Sequence, residues 1–176
     1  MMGVAWRAES SGRNWTSERC CGLLAAVEIA LLTALVLLFL LLVLHDLVPI
    51  GRWNNLERAA GQVSRGKLAG QTVWVGLLGG VPLVLSYISR GVRHATWQRE
   101  TATFILAFLF VGELLTWWIP YFFGARAGYA EGLRPIFEGT LTFLPERNGL
   151  TVNALHCVVH GLTLLALVLS VLVKWR

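Results

Sequence analysis

Four long apolar segments constrain this chain more than any other feature of its sequence. The clearest runs from Thr151 to Val173, 23 residues without a formal charge, and the first runs from Gly22 to Leu44 with one charged residue. A helix rises about 1.5 Å per residue, so a segment of this length crosses the roughly 30 Å hydrocarbon core of a bilayer. Only 14% of all residues are charged, against about 25% in soluble domains. The sequence therefore predicts a protein built from membrane helices.

We expect an all-α fold, an integral membrane four-helix bundle that forms a single membrane domain with two longer outer loops. The spans are predicted at approximately 22–44, 73–89, 103–123 and 151–173. The second span is the shortest and carries Gly76 and Gly80, a spacing that lets another helix approach closely. That helix belongs either to this chain or to a partner, which leaves open a homo-oligomer or a larger membrane complex.

Positive charges predict the orientation of the spans. With four spans, both termini lie on the same side as the connection between spans two and three, and that short connection holds Arg90, Arg93 and Arg99. Short cytoplasmic connections carry an excess of Lys and Arg. We therefore expect both termini in the cytoplasm, in a cell inner membrane. Attraction of the arginines to lipid headgroups accounts for the net charge of +5, and no nucleic-acid-binding motif is present.

The fourth span carries polar residues along one face. At about 100° per residue, the polar positions fall within one arc of about 100°. They are Asn153, His156, His160, Thr163 and Ser170. Lipid offers no hydrogen-bond partner, so this stripe is expected to face the bundle interior or a water-filled cavity.

A carboxylate of the third span is predicted to lie at the depth of this stripe. Glu113 falls about 15 Å below the outer boundary and His160 about 14 Å below it, so the two side chains can meet. His156 lies one turn nearer the outer side. His45 and Asp46, where the first span ends, would close the site from outside. These residues, together with Asn153, form the candidate substrate or ion site.

Several kinds of chemistry fit such a cluster. His156, His160 and Glu113 are a plausible set of metal ligands, because imidazole and carboxylate groups from facing helices build metal sites in bundles. The same groups also suit a proton site, a small-solute site or a structural hydrogen-bond network. Haem held by paired histidines would require His45 with His156, and the pattern does not favour it.

The sequence does not decide whether the protein is an enzyme. Cys157 follows His156, so the HExxH signature with its general base is missing, and no CxxC spacing occurs. An enzyme would have to draw its chemistry from Glu113, His156 and His160. The open hypotheses are thus a transport or permeation subunit, an enzyme or metal-binding protein, and an accessory subunit that assembles through the glycine face of the second span.

Three strings in the C-terminal third resemble a known group of proteins. They are WWIPYFFG from Trp117 to Gly124, TLTFLP from Thr140 to Pro145, and NALH from Asn153 to His156. They resemble a group of small four-span bacterial membrane proteins without an assigned activity. The resemblance implies no mechanism, but it places the residues of interest on the third span, the outer loop and the fourth span.

Overall fold

The fold is built almost entirely from helices. In a computed structural model of the protein, the structure describes residues 14–45, 47–54, 64–92 and 94–174, with the backbone alone for residues 14–21, 65, 68, 135 and 136. The helices are α1 (Asn14–Leu44), α2 (Arg65–Ile88), α3 (Thr96–Glu113), α4 (Ile119–Phe123), α5 (Tyr129–Phe137) and α6 (Ala154–Lys174). A short 3-10 turn spans Gly51–Trp53, and a π-helical turn at Leu114–Trp118 joins α3 to α4. Within the described ranges no β-strand occurs, and the predicted all-α four-helix bundle is confirmed.

Four stretches in the described part of the chain are long and apolar enough to cross a membrane. They are Gly22–Leu44, Ala69–Ile88, Thr96–Phe123 and Ala154–Lys174. Their outward faces remain apolar, with Phe104 71% exposed and Leu23 68% exposed. Exposed apolar surfaces of this extent are unfavourable in water and favourable in contact with lipid. The backbone polar groups of a helix are hydrogen-bonded within the helix, as the hydrocarbon region of a bilayer requires. The chain is a multi-pass membrane protein.

Two helices begin where a side chain caps them. Ser64 precedes α2, and its Oγ accepts a hydrogen bond from the backbone N–H of Lys67 at 3.4 Å. The helix therefore starts upstream of the predicted span at 73–89. Asn153 plays the same role before α6, which starts at Ala154 within the predicted span at 151–173. Capping oxygens satisfy backbone donors that the first helical turn leaves free.

The four long helices close into a square bundle. α1 packs against α2 and α6, and α3 packs against the same two helices from the opposite corner. Leu35, Leu38 and Leu106 have no exposed surface and fill the centre together with Ala166. Because the helices alternate in direction, the two longer connections, between α1 and α2 and between α4 and α6, lie at one end. We call this the long-loop end, and the end that carries residues 89–92, 94 and 95 the short-loop end.

The glycine face of α2 is occupied within this chain. A Cβ built on Gly79 would lie 2.9 Å from Cδ1 of Leu42, and one on Gly80 would lie 3.3 Å from the ring of Phe39. Glycine thus lets α1 and α2 approach closely. The hypothesis of an accessory subunit that assembles through this face needs correction, because α1 already covers it.

Candidate functional site

A cavity of about 640 Å³ opens in the half of the bundle next to the long-loop end. Side chains from α1, α2, α3, α5, α6 and the connecting turns form its walls. Its polar lining residues are His45, Asn54, Lys67, Gln71, Glu113, Thr116, Tyr129, Asn153, His156 and His160. Small-molecule sites commonly have volumes of about 300–1,000 Å³, so a cavity of this size suits a small molecule.

Asn153 holds the N-terminal end of α6 and one wall of the cavity. Its Oδ1 accepts a hydrogen bond from the backbone N–H of His156 at 2.9 Å, the N-cap arrangement. The same oxygen lies 2.7 Å from Nδ1 of the His156 ring, and Nδ2 of Asn153 donates to the backbone O of Trp53 at 3.2 Å. One buried amide therefore ties α6 to the 3-10 turn and to the imidazole.

These bonds determine which nitrogen of His156 carries the proton. The backbone N–H of His156 and the carbonyl of Trp53 orient the amide of Asn153 so that Oδ1 faces the ring. An amide oxygen can only accept, so Nδ1 of His156 is the donor, and in a neutral ring Nε2 is the acceptor. The indole of Trp117 lies 4.4 Å from the imidazole between centroids, and Phe137 meets it edge-on at 5.3 Å. The imidazole is therefore held on two sides, with its Nδ1 engaged by Asn153.

His45 borders the same region from the end of α1. Its Nδ1 donates towards the backbone O of Leu41 and Leu42, at 3.0 and 2.9 Å. Its ring centroid is 6.2 Å from that of His156, in an edge-on arrangement. The predicted site residue Asp46 lies outside the described residues.

Glu113 and His160 are the most deeply placed polar residues of the cavity wall. Glu113 is 8% exposed and His160 5% exposed. The Thr163 hydroxyl donates to Oε1 of Glu113 at 2.7 Å and also lies 3.0 Å from the backbone O of Val159. Oε2 of Glu113 and Nδ1 of His160 are buried and have no hydrogen-bond partner among the described residues. The wall thus retains hydrogen-bonding capacity that the protein itself does not use.

The π-helical turn above Glu113 has an identifiable cause. Pro120 has no N–H, so the carbonyl of Thr116 loses its usual helical donor. The hydroxyl of Tyr129, on α5, donates to that carbonyl at 2.8 Å. Burial raises the pKa of the Tyr129 hydroxyl, which keeps it a donor. Turns of this type are frequent at functional sites. In this structure the turn contains Trp117, which packs against the ring of His156.

The cavity is closed towards the short-loop end. On α1, Leu35 and Leu38 lie between Leu42, which lines the cavity, and the ion-paired Glu28 near the other end. Oε1 of Glu28 is 3.9 Å from the guanidinium of Arg99, beside a separate cavity of about 20 Å³. An apolar layer therefore separates the two polar regions.

The structure brings most of the predicted site residues to one cavity. Asn153, His156, His160 and Glu113 all line it, as does His45. Four residues of the stripe on α6 are buried, with Asn153 2%, His160 5%, Thr163 0% and Ser170 4% exposed, and His156 is half-buried.

The predicted ligand set does not gather around one point. Within the described ranges, no group of three or more His, Cys, Asp or Glu residues could hold a metal ion. His156, His160 and Glu113 are therefore not brought together as a metal-ligand group.

Four further residues line the cavity that were not predicted from the sequence as part of the site. They are Lys67, Gln71, Trp117 and Tyr129. The signal for Trp117 was present, because Pro120 three residues later predicts a disturbed helix. Tyr129 carried no signal, since its contact with α3 depends on how the long connection folds back.

Comparison with known proteins gives no family for this chain. No family model matches it, and neither a curated protein nor a solved structure is significantly similar to it. The resemblance of its C-terminal strings to small four-span bacterial proteins stays a prediction.

Proposed function

We propose that this membrane protein binds a small organic solute in the cavity at its long-loop end and holds it through Glu113, His156 and His160. The observation that carries the proposal is a pair of buried polar atoms without a hydrogen-bond partner among the described residues, Oε2 of Glu113 and Nδ1 of His160, on two side chains that line the cavity. A buried polar group without a partner costs about 1–3 kcal/mol. A ligand that forms hydrogen bonds with these two atoms removes that cost.

The character of the walls supports an organic solute. Aromatic and aliphatic side chains share the walls with polar ones, and an organic solute has surface of both kinds. His156 adds an acceptor nitrogen whose tautomer is determined by Asn153. Trp117, packed on that imidazole, offers a flat apolar surface to the same solute.

Because the cavity is closed towards the short-loop end, we favour binding of a solute over its passage through the bundle. A proton or solute path across the bundle would have to pass the layer of Leu35, Leu38 and Leu106, none of which has exposed surface. Polar species cross such a layer only at a cost of several kcal/mol. We therefore propose a site that is reached from the long-loop end. We also propose that this end faces outward from a cell inner membrane, with both termini in the cytoplasm.

Native mass spectrometry tests the proposal. Protein purified from membranes in mild detergent is expected to retain a bound small molecule as an adduct of fixed mass. Because Glu113→Leu and His160→Leu each remove a buried polar contact, the affinity for the solute should fall about tenfold, which corresponds to about 1.4 kcal/mol, and the occupancy should fall with it.

Thr33→Val is the matched control, since the Thr33 hydroxyl bonds to its own helix at Ile29 and does not line the cavity. The control should keep the wild-type adduct. Equal occupancy in Glu113→Leu, His160→Leu and wild type, or no retained adduct in wild type, would contradict the proposal.

A further inference from the structure

The walls of the cavity change character with depth. Near the long-loop end they carry Lys67, Asn54 and His45, whereas further down α2 and α3 they carry Leu78 and Phe108. Glu113 and His160 lie between these two regions. From Lys67 to Leu78 the cavity follows α2 for about 16 Å at the helical rise of 1.5 Å per residue. The cavity is therefore long, with polar and apolar side chains mixed near the long-loop end and apolar side chains alone further down.

The apolar part of the cavity opens sideways between α2 and α3. Trp74 on α2 and Phe108 on α3 both line the cavity, and they are 59% and 57% exposed. A side chain that contributes to a cavity and is exposed marks its rim. Gly112, also on the cavity wall, would carry a Cβ with nothing within 4 Å. Both helices are long and apolar enough to cross the bilayer, so this opening faces lipid.

We infer that the solute is a single-chain amphiphile with a hydroxyl head, which enters from the bilayer between α2 and α3. The inference rests on the proposed function and names the class of its ligand. A fully polar solute would leave Leu78 and Phe108 unmatched. A hydrocarbon would leave the buried atoms of Glu113 and His160 without partners. An amphiphile satisfies both regions.

The head group follows from the polar atoms that await a partner. Oε2 of Glu113 can accept a hydrogen bond, and Nδ1 of His160 donates or accepts according to its tautomer. A hydroxyl group is a donor and an acceptor at once, so it serves either state. The chain then extends along Leu78 and Phe108 to the opening, where the bilayer continues the same apolar environment.

A second apolar groove provides the competing route. It lies between α3, α4 and α6, has a volume of about 430 Å³, and is lined by Trp118, Cys157, Gly161 and Leu164 among others. His160 borders this groove as well as the main cavity. A Cβ on Gly161 would also meet nothing within 4 Å. Gly112 and Gly161 therefore form a matched pair that distinguishes the two routes.

Photolabelling in phosphatidylcholine nanodiscs tests the inference. The probe is a straight-chain alcohol with a diazirine in the middle of its chain, and labelled peptides are mapped by mass spectrometry. Wild type should be labelled on the α2 and α3 segments around Trp74 and Phe108. Gly112→Leu should reduce this labelling to background because the new side chain fills the opening, whereas Gly161→Leu should leave it unchanged. Leucine is a better helix former than glycine, so both variants keep their helices, and thermal unfolding verifies this.

The outcomes separate the two proposals. Loss of labelling in Gly161→Leu instead, or labelling that neither variant changes, would overturn entry between α2 and α3. If the native adduct depends on Glu113 but the alcohol does not label the opening, the solute site stands and the amphiphile is refuted. If the adduct is independent of Glu113 as well, both proposals fail.

Discussion

Replacing Glu113 with leucine should make the ligand-free protein more stable. Glu113 and leucine are similar in size, so the change Glu113→Leu keeps the packing between α3 and α6. It removes one hydrogen bond, from the Thr163 hydroxyl, and it removes a buried oxygen that has no partner among the described residues. Thr163 retains the backbone O of Val159 as an acceptor at 3.0 Å. The two effects on the free energy of unfolding have opposite signs.

Their magnitudes decide the direction. The lost hydrogen bond costs about 0.5–1.5 kcal/mol, whereas removing the unsatisfied buried oxygen returns about 1–3 kcal/mol. The net change is a gain of about 1 kcal/mol in the free energy of unfolding. Thr163→Val should do the opposite, because it leaves both oxygens of Glu113 without a protein partner, and we expect a loss of about 1–3 kcal/mol. In the double variant the loss should disappear, since the carboxylate is then absent.

Equilibrium unfolding in bicelles measures all three variants against wild type. The protein must first be stripped of bound small molecules, because a ligand stabilises wild type by mass action and would mask the gain. A loss of about 1 kcal/mol or more in Glu113→Leu would refute the reasoning. Glu113 would then be a member of a structural network that the leucine breaks.

Two side-chain contacts and the orientation of the spans provide three further tests. Asn153→Ala should lower the free energy of unfolding by about 0.5–2 kcal/mol, since it removes the N-cap of α6, while Asn153→Ser, whose neutral hydroxyl can cap the helix, should keep part of that stability in the same unfolding assay; equal losses would contradict the capping role. Tyr129→Phe should cost about 0.5–1.5 kcal/mol and speed hydrogen exchange around Thr116, because the carbonyl left free by Pro120 loses its donor; unchanged exchange there would show that the contact is unimportant. A green fluorescent protein fused to the C-terminus should fluoresce and an alkaline phosphatase fusion should be inactive; the reverse pattern would contradict cytoplasmic termini.

The sequence predicted the fold because membrane helices are specified by local composition. Uncharged runs of about 20 residues must satisfy their backbone within the segment, so the helix follows from the run itself. The inward stripe on α6 followed from the helical period, and the structure buries Asn153, His160 and Thr163 as expected. The glycine spacing of α2 predicted that another helix approaches it closely, but it did not predict that this helix is α1.

The detailed contacts of the site could not be predicted from depth and period alone. The predicted depths placed Glu113 level with His160. In the structure, however, Glu113 accepts a hydrogen bond from Thr163, which lies nearly one turn further along α6. A regular helical period also cannot describe the π-helical turn that carries Trp117 to His156. These contacts depend on which of several nearby side chains donates to each available acceptor. A single sequence does not reveal that choice.

The contents of the cavity test the central claim most directly. A crystal structure of the protein purified from membranes and grown in a lipidic phase would reveal them. We expect density for an elongated molecule, with its polar end within hydrogen-bond distance of Glu113 or His160 and its chain directed towards the opening between α2 and α3. A cavity filled by the protein's own side chains, with Glu113 bonded directly to His160, would contradict it and identify the polar residues as a structural network.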